Sequence, residues 1–227
     1  AQEKNMSADE RGFFGQIKDK LIRSKEKTAA EGRHLTGRQD QARESRLPPG
    51  QHRVEKWPVL DLGIQPQIST GSWSLAIDGA VANPVTWDWQ TFLDQPQQSF
   101  LSDIHCVTTW SRYDNRWEGV SARHILEIVK PLPEARHVIF HAYDGYTTNL
   151  RLSMFDDENV LIAHSWEGRP LTQEHGAPAR AIVPSWYFWK SAKWIKRIEF
   201  SEVDKPGFWE ERGYHNDGDP WTEQRYG

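Results

Sequence analysis

Within Asp103-Ile104-His105-Cys106-Val107-Thr108-Thr109-Trp110-Ser111-Arg112 sits the only cysteine of the chain. A disulfide within the chain is therefore excluded. The thiol is an inert apolar filler, a nucleophile, a redox sensor or a single thiolate ligand to a metal. A lone cysteine is more often a buried filler. Its flanks argue for more: Ile104 and Val107 are strand formers, whereas His105, Thr108, Thr109, Ser111 and Arg112 surround the sulfur with hydrogen-bonding groups able to hold it as thiolate.

A second group lies in the C-terminal half. His175-Gly176-Ala177-Pro178-Ala179-Arg180 is followed by Ser191-Ala192-Lys193 after a Trp-rich turn. A histidine, a guanidinium, an ammonium and small residues with open backbone N–H groups suit a phosphorylated, hydrogen-bonding ligand. Taken singly, Arg180 reads as a salt-bridge partner, Lys193 as a solvated strand end and His175 as a turn residue.

Two other chemistries use the same residues. One is a cysteine hydrolase or transferase, with Cys106 as nucleophile and His105, His164 or His175 as base. Neighbours on a strand point to opposite faces, which places His105 poorly for that role. The other is a binding module in which the twelve tryptophans form stacking platforms. Most of these sit at strand or turn positions where aromatic residues ordinarily fill a core.

Alternating short apolar runs supply the frame for these groups. Strands are expected over residues 73–81, into the cysteine, and over 137–142, 146–152, 180–184 and 194–200, with a short apolar piece at 159–164. Helices are expected over 86–93, opened by Thr86, and over 120–129, opened by Ser121 and closed by Pro131 and Pro133. Beyond Val203 the composition predicts an irregular wrap. Many short strands with few helices point to an α+β fold with mixed sheets. No nucleotide-binding glycine fingerprint and no internal repeat is present.

Hydrophobic residues make up 37% of the 227 residues and aromatics 12%, enough for a real core. The net charge of −4 gives no argument for nucleic acid. Residues 1–50 hold eleven Lys/Arg against eight Asp/Glu, and the remainder seventeen against twenty-four. Residues 11–27 place Phe13, Phe14, Ile17 and Leu21 at helical spacing, and 28–46 are polar. Two parts are expected: an amphipathic helix and polar tail over 1–47, and a compact domain over 48–227. No transmembrane run or uncleaved signal is visible. The expected location is cytoplasmic, with a periplasmic one left open for a chain that begins at Ala1.

Six ordered blocks give the chain a resemblance. They are Asp103-Ile104-His105-Cys106, Trp117-Glu118-Gly119-Val120, Asp144-Gly145-Tyr146-Thr147-Thr148-Asn149-Leu150, His175 to Arg180, Lys190-Ser191-Ala192-Lys193-Trp194, and Pro206-Gly207-Phe208-Trp209-Glu210 with Gly213-Tyr214-His215. From about Leu47 onward the chain resembles the molybdenum-pterin domain of the sulfite oxidase family, most of all its small stand-alone bacterial relatives.

That resemblance implies a molybdenum-molybdopterin cofactor, with Cys106 as the metal-binding thiolate. It implies that His175 and Arg180 contact the pterin and its phosphate, that Ser191, Ala192 and Lys193 grip the phosphate, and that Asp144 and Asp61 border the pterin. His164 stands where the family has its active-site tyrosine, and Arg112 is the nearest arginine after the cysteine. They are the candidate proton-transfer group and anion anchor. The implied activity is two-electron oxygen-atom transfer on a small, sulfur-containing substrate. With one cysteine there is no haem-attachment or cluster-binding cysteine set, so electrons are expected to be exchanged with a separate protein. A monomer without a membrane span is expected.

Overall fold

The computed structural model describes residues 46–227 together with Asp19, Ile22 and Arg23, each of which is helical. The amphipathic helix expected over 11–27 and the polar tail of 28–46 therefore lie almost wholly outside the described residues. Arg46 is already anchored, donating from Nε and Nη2 to the Asp103 carboxylate at 2.8 and 2.6 Å.

Two sheets make up the described fold. In the first, the two-residue β1 (His52–Arg53) and the antiparallel pair β4 (Gln97–His105) and β5 (Trp110–Ser121) join β8 (Leu161–Trp166), β9 (Arg169–Pro170) and β10 (Arg180–Ile182). In the second, β3 (Val85–Asp88), β2 (Ser74–Gly79), β11 (Ile195–Ser201), β6 (His137–Ala142) and β7 (Thr147–Arg151) lie side by side in that order. Strands β2 and β11 are parallel while β6 and β11 are antiparallel, so the sheet is mixed. The fold is α+β, as the strand-rich order with few helices implies.

Strand β5 organises the first sheet. Tyr113, Asn115, Trp117 and Gly119 alternate inward with exposed Asp114, Arg116 and Glu118. That period of two is what a half-buried strand requires. At Gly119 the strand touches β8 so closely that a Cβ would stand 2.0 Å from the Ile162 carbonyl oxygen. Only glycine fits there.

Ser121 ends β5 and opens the helix Ala122–Val129, its hydroxyl accepting from the His124 N–H at 3.2 Å. This is the expected cap. Ala122, Ile125 and Val129 form the buried face, and the helix closes at Lys130 in the left-handed region with Pro131 beyond. Burying Ile125 and Val129 contributes roughly 1.5–3 kcal/mol each.

The helix expected from Thr86 begins later. Val85, Thr86 and Trp87 pair with Ile77, Ala76 and Leu75 as β3, and the helix is Trp89–Leu93, capped by Asp88, whose carboxylate accepts from the Thr91 N–H at 2.8 Å. A β-branched run beside an open strand edge prevails over the weaker threonine cap.

Two side-chain clusters fill the interior. One lies behind the second sheet and includes Leu75, Ile77, Phe140, Ile198 and Phe200. The other is aromatic, with Trp57, Trp110, Trp117, Phe188, Trp189 and Tyr214 around Cys106. The C-terminal residues wrap irregularly, as composition predicts, and the Lys190 ammonium fastens them by donating to Glu210 Oε1 at 2.6 Å and the Asn216 carbonyl oxygen at 2.6 Å. No helix among the described residues is long and apolar enough to cross a membrane.

Candidate functional site

The connection between β4 and β5 is a tight turn, Cys106 to Thr109. The Thr109 N–H donates to the Cys106 carbonyl at 3.0 Å and the Cys106 N–H to the Trp110 carbonyl at 2.8 Å. Thr109 sits at a φ of 79°, a strained choice for a β-branched residue. Gln51 adds a hydrogen bond from Nε2 to the Cys106 carbonyl at 3.1 Å. The sulfur, in a residue only 6% exposed, lies 3.1 Å from the Thr108 hydroxyl.

That turn forms part of the wall of a cleft of about 380 Å³. Segment 57–62, Asp144, Tyr146, Arg180, segment 188–189, segment 191–194, Trp209 and Tyr214 line it with Cys106, Val107, Thr108 and Trp110. Its size lies in the range of cofactor pockets. Asp61, Cys106, Asp144, Arg180, Ser191, Ala192 and Lys193, from distant parts of the chain, thus share one concave surface.

Arg180 opens β10 and is 1% exposed. Its guanidinium donates from Nη1 to the His175 carbonyl at 2.9 Å and from Nη2 to the Ser191 carbonyl at 2.6 Å, and it lies 4.5 Å from the Phe188 ring centre. All these partners are neutral. Burial pulls its pKa down to about 9. Lys193 donates to the Glu174 carbonyl at 2.6 Å, and burial, followed by the charge of Arg180, lowers its pKa to about 8. Two cations held against carbonyls in a shared cleft form an anion-accepting surface. Gly176, at a φ of 109°, lets the chain pass between them, because a Cβ there would come within 3.1 Å of both the Arg180 and Lys193 Cβ atoms.

Asp61 and Asp144 shape their loops. Asp61 accepts from the Gly63 N–H and the Gln65 side chain at 2.8 and 2.7 Å, and Asp144 from the Tyr146 N–H at 3.0 Å. Ser191 accepts at Oγ from the Val183 N–H at 2.9 Å, tying its turn to the end of β10. The indole N–H of Trp110, another cleft residue, is buried without a hydrogen-bond partner.

Three expected site residues do not line the cleft. His175 lies behind Trp57, ring stacked on ring at 3.7 Å, with a buried, unpaired Nδ1. Burial and the charges of Arg180 and Lys193 hold its pKa down to about 4. Its link to the site is the carbonyl that Arg180 uses.

His164 and Arg112 also lie off this cleft. His164 points from β8 toward the helix Trp89–Leu93. It lies 6.1 Å from the Phe92 ring and bonds to Gln97 Oε1 and Ser165 Oγ at 3.2 and 2.7 Å. Strand alternation turns it away from the sulfur. Arg112 covers Trp166 at 4.7 Å and donates to the Glu55 carbonyl at 3.0 Å and to Asn115. It sits two residues into β5, past the point where the hairpin leaves the cleft.

His105 faces away from its neighbouring sulfur. Its Nδ1 donates to Ser111 Oγ at 2.8 Å, which donates to Gln51 Oε1 at 3.2 Å. Trp57, Tyr146, Trp189 and Tyr214 escaped sequence reasoning as site residues. Nothing in an isolated aromatic distinguishes a cleft wall from a core filler.

Comparison with known proteins gives this geometry a context. Residues 62–209 match the family model described as oxidoreductase molybdopterin binding domain. The uncharacterized oxidoreductase YuiH of Bacillus subtilis (strain 168) is 45% identical over 182 residues, covering 80% of this chain and 92% of that protein. The protein-methionine-sulfoxide reductase catalytic subunit MsrP of Campylobacter jejuni is 29% identical over 165 residues. That match covers 63% of this chain and 53% of the relative, so the chain spans about half of its length. Among solved structures, the sulfane dehydrogenase SoxCD of Paracoccus pantotrophus matches with a TM-score of 0.57 at 19% identity, over 74% of this chain and 56% of that one. This last likeness is one of fold.

Proposed function

The chain belongs to the sulfite oxidase family of oxidoreductases built on a molybdopterin-binding domain, and from that premise we propose that it performs two-electron oxygen-atom transfer on a small, uncharged, sulfur-bearing substrate. The observation that carries this reading is the convergence of one thiol, Cys106, one buried cation, Arg180, and one half-buried cation, Lys193, on a single cleft.

The cofactor of the family is molybdenum-molybdopterin, and the residues present fit it. A phosphate suits Arg180, whose hydrogen-bond partners are carbonyls, and Lys193 beside it, which already feels the carboxylates of Asp61, Asp144 and Glu174; a soft thiolate suits the metal. Asp61, Asp144 and the peptide groups of Ser191 and Ala192 are proposed to hold the polar edges of the pterin. When bound, the cofactor supplies the redox chemistry, exchanging two electrons as an oxygen atom passes to or from substrate.

The rest falls to the chain. Cys106 is proposed to anchor the metal, and the Thr108 hydroxyl to donate to its sulfur. His175 acts through its carbonyl, orienting Arg180. Trp189, Trp209 and Tyr214 supply aromatic walls that keep water from the reacting atoms. Electrons are proposed to come from or go to a separate protein, because the single cysteine of this sequence leaves no cysteine set for attaching haem or holding a cluster.

The absence of charge on the substrate follows from the lining. With Arg180 and Lys193 given to the phosphate, the rest of the described lining includes Thr108, Trp110, Phe188, Trp189, Trp209 and Tyr214 together with the carboxylates Asp61 and Asp144. None of these is a cation, and a bound oxyanion needs one. A cysteine hydrolase is disfavoured on the same surface, because none of the described cleft residues is a histidine.

The test is molybdenum and pterin analysis of protein from a cofactor-competent host, followed by assays with an uncharged sulfoxide, sulfite and nitrate. One molybdenum per chain and preference for the sulfoxide are expected. Metal-replete protein that favours sulfite or nitrate overturns the substrate assignment.

A further inference from the structure

Arg225 lies outside the cleft, yet its side chain is fully buried. Its Nη1 donates to the Val107 carbonyl at 2.6 Å and its Nη2 to the Pro49 carbonyl at 3.4 Å, while its Nε has no hydrogen-bond partner. The acid in ion-pair range is Glu223, 3.9 Å away and 43% exposed. A buried guanidinium so weakly matched is costly to keep.

Its position suggests what offsets that cost. Val107 is the residue after Cys106, within the turn that presents the sulfur to the cleft. Around it stand Tyr187, Tyr214 and Tyr226, whose hydroxyls burial holds in the neutral form. The Arg225 guanidinium packs 5.0 Å from the Tyr187 ring. Its backbone is held in turn by the C-terminal wrap, the carbonyl accepting from the His215 N–H at 3.2 Å, beside the Tyr214–Tyr226 bridge.

We propose that Arg225 is a positioning residue for the cofactor site: it clamps the Cys106–Thr109 turn from behind and supplies the counter-charge for the anionic centre that forms when the sulfur holds the metal. The inference rests on Cys106 being the metal ligand. Its consequence is that the C-terminal wrap, remote in sequence from every family motif around the cysteine, governs how tightly the cofactor is retained.

The experiment compares wild type, Arg225→Gln and Arg225→Lys, each made with and without the cofactor. The readouts are the rate of molybdenum loss on warming and the melting temperature of both forms. Arg225→Gln is expected to lose metal roughly 10–100-fold faster, the range for outer-shell partners of a metal site, and to shrink the gap in melting temperature between loaded and cofactor-free protein. Arg225→Lys, which keeps the charge, is expected to stay within about threefold of wild type, less than that loss of an outer-shell partner.

A purely structural arginine would lower both melting temperatures alike and leave the gap unchanged. That result, or wild-type metal retention in Arg225→Gln, overturns the proposal. If Arg225→Gln does not fold, an Arg225→Lys protein that loses metal about 10-fold or more faster than wild type overturns it too. Wild-type protein that never contains molybdenum instead overturns the cofactor reading on which the inference rests.

Discussion

Arg180 and His175 form one unit, joined by the 2.9 Å hydrogen bond from Arg180 Nη1 to the His175 carbonyl, although only the guanidinium reaches the cleft. Arg180→Ala strands that carbonyl and the Ser191 carbonyl, both buried, at about 1–3 kcal/mol each. The expected outcome is a lower melting temperature in the cofactor-free chain, by about 2–4 °C for each kcal/mol, and loss of bound pterin. Arg180→Lys should recover part of the first and little of the second, because a shorter side chain ending in one nitrogen does not reproduce the spread of the guanidinium fork over two carbonyls and a phosphate.

Replacing the thiol separates fold from chemistry. Cys106→Ser changes one small buried atom, so the cofactor-free protein should melt close to wild type, within about 1 kcal/mol of stability. Molybdenum content should fall to background. Thr108→Val, which removes the hydroxyl 3.1 Å from the sulfur, should retain metal but alter its paramagnetic spectrum in the partly reduced state.

The stability of the cofactor-free chain should depend on pH through depressed bases, His175 and His105 among them on the acid side and Lys193 on the alkaline side. His175 titrates at about 4 in the fold against 6.5 unfolded. The unfolded chain therefore takes up that proton first, and stability is lost as pH falls from 6.5 toward 4. Lys193, at about 8 against 10.5, adds a second window in which stability rises as pH climbs from 8 to 10.5. Melting temperatures across pH test both limbs, and His175→Gln should shrink the acid one, leaving the share that His105 contributes.

Glu210 is the acid partner of the buried Lys190 ammonium, 2.6 Å away, and also accepts from Thr148 and the Trp189 indole at 2.8 Å each. Glu210→Gln leaves that ammonium without its carboxylate, a cost of about 3–5 kcal/mol for breaking a buried pair. Urea unfolding should report it. Because Trp189 lines the cleft, cofactor retention should fall as well.

Much of the frame was legible from spacing. The strand His137–Ala142 and the Ser121 cap follow from local side-chain pattern and hydrogen-bonding chemistry, which act within a few residues. The strand Val85–Asp88 was hidden because its preference is decided by an open edge of β2, a partner that local sequence does not display. The long strand Trp110–Ser121 escaped for a related reason: its inward face includes Asn115 and Gly119, polar and minimal residues that break an apolar alternation.

By itself, the sequence determined that there is one thiol and no disulfide, that the fold is α+β, and that ordered motifs place the chain in a molybdopterin-binding family. Composition and order are local properties, and they survive without coordinates. Tertiary structure decided which groups meet. It put Arg180 and Lys193 on the cleft of Cys106, turned His164 away by strand alternation, left Arg112 beyond the point where the hairpin leaves the cleft, slid Trp57 over His175, and brought Arg225 behind the cysteine turn from 118 residues away. The physical reason is that side-chain direction and long-range packing depend on how two sheets and a C-terminal wrap close on one another, which no single stretch of chain specifies.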